Sequence, residues 1–143
     1  MSSREYPSWP LVGVGVLVVH DDKVLLIKRR MDPDKGLWAI PGGLVNLGEK
    51  IRDAAAREVL EETGVKVNIK RLIDVVDKIV LDDQGRVKYH FVIVDFEGEA
   101  INLNLNASPE VEEAKWMSKE EIKNIELSET TKDLLVRVGF IKR

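Results

Sequence analysis

The stretch Gly43-Leu-Val-Asn-Leu-Gly-Glu49-Lys-Ile-Arg-Asp-Ala-Ala-Ala-Arg57-Glu58-Val-Leu-Glu61-Glu62-Thr-Gly64-Val65 decides how this chain is read. From Lys50 to Thr63 strong helix formers succeed one another, and Gly64 falls where a left-handed C-terminal cap belongs, which predicts a helix over that span. At about 100° per residue, Glu58, Glu61 and Glu62 share one arc, whereas Ala55, Ala56, Val59 and Leu60 occupy another. A packing side and a carboxylate side are therefore expected. Like charges three and four apart repel by about 0.2–0.5 kcal/mol per pair on an exposed helix, so a cation belongs beside them. Oxygen donors with no His or Cys nearby select Mg²⁺ or Mn²⁺ over zinc. The glycines ahead of the helix let the backbone approach closely, and a carbonyl, that of Gly42 foremost, can add an oxygen ligand. The plain alternative is a glutamate-rich face that is merely solvated.

Outward from this helix the chain alternates between strand signals and turns. Leu11–Val19 is β-branched and apolar on both faces, and Asp21-Asp22 separates it from Lys23–Arg30, which predicts a hairpin. Met31–Gly36 reads as a loop, Leu37–Ile40 as a short apolar piece, and Pro41-Gly42-Gly43 as a breaker. Val65–Leu81 and Arg86–Phe96 form a second predicted hairpin around Asp82-Asp83-Gln84-Gly85. Glu97–Glu113 is polar and reads as a long loop, Ala114–Met117 as a further short strand. Ser118-Lys-Glu-Glu121 matches a capping box, and Thr130–Val138 has helical spacing. The expectation is one domain over 1–143, an α/β/α sandwich around a mixed β-sheet.

Composition narrows the function. With 143 residues, 22 Lys+Arg against 25 Asp+Glu and no cysteine, thiol nucleophiles, thiolate metal sites and disulfides are excluded, and His20 and His90 alone cannot make a multi-histidine site. The net charge of −3 gives no basic face for duplex nucleic acid. The start Met1-Ser2-Ser3-Arg4-Glu5 has no apolar h-region, and the longest apolar run, Leu11–Val19, is half a membrane span. A soluble cytoplasmic protein is expected. The charge content and Ile/Val richness hint weakly at a heat-adapted source.

The quoted stretch fits, without a gap, the pattern Gly, five residues, Glu, seven residues, Arg-Glu-apolar-x-Glu-Glu-x-Gly-apolar at Gly43, Glu49, Arg57, Glu58, Val59, Glu61, Glu62, Gly64 and Val65. At ordinary background frequencies a chance match is on the order of one in 10⁸ per start position. The chain thus resembles the Nudix hydrolases. Gly36–Gly43 before the box, and Trp116 with Glu120-Glu121 after it, look like the same family.

The resemblance implies metal-dependent hydrolysis of a phosphoanhydride in a nucleoside diphosphate linked to a further moiety. It implies Glu58 and Glu62 as metal ligands, Glu61 as a ligand or a partner of the ligands, and Arg57 pairing with Glu49 to lock the loop onto the helix. An exposed Arg57–Glu49 pair of little energetic worth is the alternative. A loop glutamate outside the box acts as general base in much of the family. Glu110 is favoured here, Glu113 is second, and Glu58 itself is a third choice. Polyphosphate contacts are expected from Arg30, with Arg29, although strand alternation puts these two on opposite faces. Base stacking is expected from among Tyr6, Trp9, Tyr89 and Phe91. His90 is expected to be a structural strand residue.

Gly36–Val45 and Tyr89–Phe96 are similar to short ADP-ribose pyrophosphatase-like members, which makes ADP-ribose, cleaved to AMP and ribose 5-phosphate, the leading substrate. Leu81-Asp82-Asp83 stands where larger ADP-ribose enzymes carry proline and dinucleoside polyphosphate enzymes tyrosine, and Asn46 stands where relatives are often acidic. The alternatives are a nucleoside triphosphate pyrophosphohydrolase and a non-catalytic nucleotide sensor. Family habit also suggests a homodimer.

Overall fold

A computed structural model describes residues 4–142; Met1–Ser3, part of the start read above, and Arg143 lie outside the described residues. In chain order the elements are β1 (Leu11–His20), β2 (Lys23–Arg29), β3 (Trp38–Ala39), β4 (Gly42–Leu44), α1 (Ile51–Thr63), β5 (Val67–Leu81), β6 (Val87–Ala100), β7 (Val111–Ser118), α2 (Lys119–Ile122) and α3 (Glu129–Arg137).

The apolar run β1 is central because both its edges are used. One edge pairs in parallel with β6 from Leu11↔Phe91 to Val18↔Gly98. The other takes β4 at Gly13–Gly15 and then β2 at Val19 and His20, both antiparallel. The main path runs β3-β2-β1-β6-β5, with β4 on β1 and β7 on β2, a mixed seven-stranded sheet. At the β1–β2 turn Asp21 and Asp22 have φ of 50° and 61°, the left-handed pair that a two-residue hairpin turn requires and aspartate tolerates.

Alternation along β1 feeds two cores. Val14, Val16 and Val18 pack with Phe96 against Ala54, Ala55 and Val59 of α1. On the other face Leu17 joins Leu26, Trp38 and Met117 beneath Ile122 of α2 and Leu134 and Leu135 of α3. Each such side chain taken out of water contributes about 1.5–3 kcal/mol. The helices thus flank a mixed sheet on both sides, as the sequence predicts. Gly64 closes α1 in the left-handed conformation, φ 80°, with its N–H on the Leu60 carbonyl.

Several details depart from the sequence reading; β7, for one, starts at Val111, inside the run expected to be loop. Gly42–Leu44 is a strand rather than only a breaker, because Gly42 and Gly43 can lie close against β1. β6 continues to Ala100 through residues expected to be loop, since Glu97 and Gly98 complete the parallel ladder with Leu17 and Val18. The buried side of α1 holds Ala54, Ala55, Glu58, Val59 and Thr63, whereas Leu60 is 44% exposed. Glu58 therefore lies on the packing side, between the alanines, and not on a separate solvated face.

Candidate functional site

The strand β4 delivers the glycines to α1. A Cβ on Gly43 would occupy the space of the Glu58 carboxylate, and one on Gly42 would overlap the Val14 carbonyl, so only glycine lets the loop, β1 and the helix meet this closely. The Gly42 N–H donates to Glu62 Oε1 at 3.0 Å. Arg57 fixes the remainder of the approach. Its Nε and Nη2 donate to Glu49 at 2.7 and 2.9 Å, Nη2 also to the Leu44 carbonyl at 3.0 Å, and Nη1 to Glu61 at 2.8 Å. Glu49 in turn accepts the Asn46 N–H at 3.0 Å. The pair is bidentate and its side chains are only 28% and 17% exposed, which is tighter than a stray surface ion pair.

The acids of this site divide sharply. Hydrogen bonds from Arg57 and from the Asn46 N–H hold the Glu49 carboxyl down at about 2. Burial pushes Glu58 up to about 7, against the pull of Arg57 and with help from Glu61 and Glu110. Burial also pushes Glu62 up to about 8; the Gly42 N–H and Arg29 oppose it, Glu58 and Glu110 add to it. Burial thus outweighs the cations present, Arg57 at 3.4 Å from Glu58 and Arg29 acting on Glu62, and leaves both carboxyls open to a further cation.

A hard divalent cation fits this donor set, which is carboxylate and backbone oxygen only, pressed against a glycine cradle. Among the described residues, however, no three His, Cys, Asp or Glu side chains already converge as metal ligands. The hydrogen bonds give the reason: Glu61 is turned to Arg57, and Glu62 to the Gly42 N–H.

A cavity of about 290 Å³ opens over Glu58 and Glu62, and Glu110, Arg29 and Arg30 also line it. Both arginines reach it although alternation along β2 predicts opposite faces. Arg29 shares its face with Ile27, which also lines the cavity, and Arg30 lies past the end of β2, where alternation lapses. Arg29 donates from Nε to the Pro33 carbonyl at 2.7 Å, and burial lowers its pKa. Arg30 donates to the Val111 carbonyl at 3.2 Å and lies 3.9 Å from Glu112.

Of the remaining candidates, Glu113 sits on β7 opposite Lys28 and is not part of the cavity lining. Trp9 is 71% exposed and also outside the lining. Tyr89 is buried, stacked on Phe91 with its hydroxyl donated to Glu5 at 3.0 Å, so Phe91 and not Tyr89 reaches the cavity. Tyr6 donates its hydroxyl to Asp82 at the far β5–β6 turn. His90 lies on β6 opposite Ile79 and does not line the cavity.

The structure adds residues that the sequence reading did not single out. Lys78 and Asp34 form an ion pair in the cavity wall. Ser128, Thr130 and Thr131 contribute the start of α3. Asp95 is buried on β6, and burial together with nearby Asp74 pushes its pKa up to about 7. A lone acid in the apolar run Phe91-Val-Ile-Val-Asp95-Phe96 is the signal that could have flagged it.

The model described as the NUDIX domain matches residues 9–138. The chain belongs to the Nudix family. It is 36% identical over 107 residues to a Methanocaldococcus jannaschii protein named ADP-ribose pyrophosphatase, aligning 75% of this chain with 61% of that one. A MutT NUDIX hydrolase from Burkholderia pseudomallei matches with a TM-score of 0.80 at 30% identity, over 92% of this chain and 100% of that chain. A bifunctional NMN adenylyltransferase/ADP ribose pyrophosphatase from Francisella tularensis, complexed with AMP and a Mn ion, matches with a TM-score of 0.69 at 28% identity, over 91% of this chain and 41% of that chain. The chain therefore spans about three-fifths of the M. jannaschii relative's length. Among the described residues no helix is long and apolar enough to cross a membrane.

Proposed function

We propose that the chain is a metal-dependent pyrophosphohydrolase acting on ADP-ribose, with AMP and ribose 5-phosphate as products. The observation that carries this reading is that burial outweighs the nearby arginines at Glu58 and Glu62, whose carboxyls share one cavity with Arg29, Arg30 and Glu110. Similarity to the M. jannaschii ADP-ribose pyrophosphatase supports the choice of substrate.

Nudix hydrolases generally use divalent metals. Glu58, Glu61, Glu62 and the Gly42 carbonyl are the proposed ligands of Mg²⁺ or Mn²⁺. Such an ion, when bound, neutralises charge on the diphosphate and acidifies a water. The chain's own groups do the rest. Arg29 and Arg30 hold phosphate oxygens by charge-assisted hydrogen bonds. A carboxylate oxygen of Glu110 takes the proton as water oxygen bonds to phosphorus and the bridging P–O bond breaks. Glu58 is the alternative base. Arg57 does not face the substrate. It is a positioning residue that holds the Glu49 loop on α1. A cytoplasmic location and a homodimer complete the proposal, the latter supported by exposed Val12, Val75 and Ile79 on the sheet and testable by light scattering.

The test is product analysis with ADP-ribose and, separately, normal and oxidised nucleoside triphosphates at saturating Mg²⁺. AMP and ribose 5-phosphate in equal amounts are expected. Absence of ADP-ribose turnover alongside efficient release of pyrophosphate from a triphosphate would overturn the choice and favour triphosphate pyrophosphohydrolysis. That second reading draws support from the MutT hydrolase match.

A further inference from the structure

Asp95 is 4% exposed, and among the described residues no donor is hydrogen-bonded to its carboxyl. Its neighbours are otherwise engaged. Asp74, directly across the β5–β6 ladder, is paired with Arg137 at 3.2 Å, and Lys78 on the same face is paired with Asp34. A carboxyl left in that state costs folding free energy unless something enters the cavity to satisfy it.

The local shape says what could enter. Asp95 faces Gly15 across the parallel β1–β6 ladder. A Cβ on Gly15 would lie 2.5 Å from Asp95 Oδ1 and 2.9 Å from Ile40 Cδ1, so the missing side chain is what seats the carboxyl beside Ile40 in the cavity. Ile93 and Phe91, two and four residues back on the same face of β6, continue the lining. Ile40, Phe91 and Ile93 give this part of the cavity apolar walls beside one buried acid, with the Lys78–Asp34 ion pair bordering Phe91, whereas Glu58, Glu62 and Arg29 make the other part charged. A nucleotide has the same polarity: a charged diphosphate at one end and a flat apolar ring with N–H donors at the other. A ribose, carrying hydroxyls all round, suits the apolar walls of Ile40, Phe91 and Ile93 less well than a flat ring does.

We propose that Asp95 is a specificity-determining residue that accepts a hydrogen bond from the exocyclic amine of an adenine ring lodged among Ile40, Phe91 and Ile93. The inference rests on the nucleotide-hydrolase reading above, but not on which phosphate-linked moiety is cleaved off. The raised pKa of Asp95 agrees with it, since an acid that lacks donors is one that awaits them. An acceptor set among apolar walls discriminates strongly, because a ring without the amine leaves the carboxyl without that partner.

The experiment is calorimetry, in Mg²⁺, of AMP against purine riboside 5′-monophosphate, which carries hydrogen in place of the amine. Wild type is expected to favour AMP by about tenfold or more. Asp95→Leu is expected to bring the two affinities within about twofold, with a melting temperature no lower than wild type because an unpaired buried acid is gone. Asp95→Ala gives the same reading should the leucine not fit. Equal binding of the two ligands by wild type, or an undiminished preference in either folded variant, overturns the proposal. Since binding is read without turnover, failure of ADP-ribose hydrolysis would sink the proposed reaction and leave this result standing on its own.

Discussion

Two sites on the molecule treat carboxylates in opposite ways. At the β5–β6 turn Asp82 accepts from the Gln84 and Arg86 N–H groups, the Arg86 guanidinium and the Tyr6 hydroxyl, and is held down at about 2. At the α1–β4 junction Glu62 accepts one N–H, that of Gly42, and burial drives it up to about 8. Both are single acids on a 143-residue chain of near-balanced charge. The difference teaches that an acid saturated with donors is there to hold the fold, and one starved of donors is there to receive something from outside.

The largest effect that should sharpen this contrast is on turnover. Glu62→Gln is expected to lower kcat on the order of a thousandfold at saturating Mg²⁺, while the metal-free melting temperature stays level or rises. Full activity, or a steep drop in metal-free melting temperature, would make Glu62 a structural acid like Asp82. Glu110→Gln comes next, with a loss of about a hundredfold in kcat and a weaker rise of rate with pH, measured under the same conditions. A variant with unchanged kcat and pH profile would leave Glu58 as the base.

The third effect is on stability. Glu58 and Glu62 have folded values of about 7 and about 8 against an ordinary 4.5, so the folded protein binds more protons than the unfolded one between those limits. Their contribution is complete below about 4.5 and is lost as pH rises through about 7 and 8, a slope worth a few kcal/mol. Metal-free protein should therefore melt at a lower temperature at pH 9 than near pH 5, and added Mg²⁺ should shrink that difference by keeping both acids ionised. Thermal melts across pH with and without chelator check it; a melting temperature that climbs from pH 5 to 9 without metal would contradict the burial argument. The smallest effect is at the turn. Asp82→Asn should lower the melting temperature by a few degrees, with activity unchanged, because turn hydrogen bonds weaken at a residue that does not line the cavity. A change in kcat there would break the division between the two sites.

Much of the fold was legible because its signals are local. The α1 boundary, its Gly64 cap, the Asp21-Asp22 turn and the Ser118–Glu121 capping box each need only a few adjacent residues. The strand β4 escaped because Pro41, Gly42 and Gly43 carry turn propensity, and only contact with β1 turns them into a ladder. The site divides along the same line. The box pattern singled out Glu49, Arg57, Glu58, Glu61 and Glu62, and Arg57 does tie Glu49 to the helix. Asp95 was passed over because its meaning depends on Gly15, eighty residues earlier, lying across a parallel ladder. Arg30 reaches the cavity from just past the end of β2, where alternation no longer applies.

What the sequence by itself determined was the identity and order of the chemical groups: a helix with three clustered glutamates, a cap, an arginine spaced to lock the preceding loop, and no competing soft ligand. Such features follow from near-neighbour spacing along a regular backbone, which a linear text contains. The tertiary structure decided which of those acids are dry. Helical arithmetic separates Glu58 from Val59, but only the packing of α1 on β1 and β4 buries both, and desolvation depends on everything that surrounds a group in space.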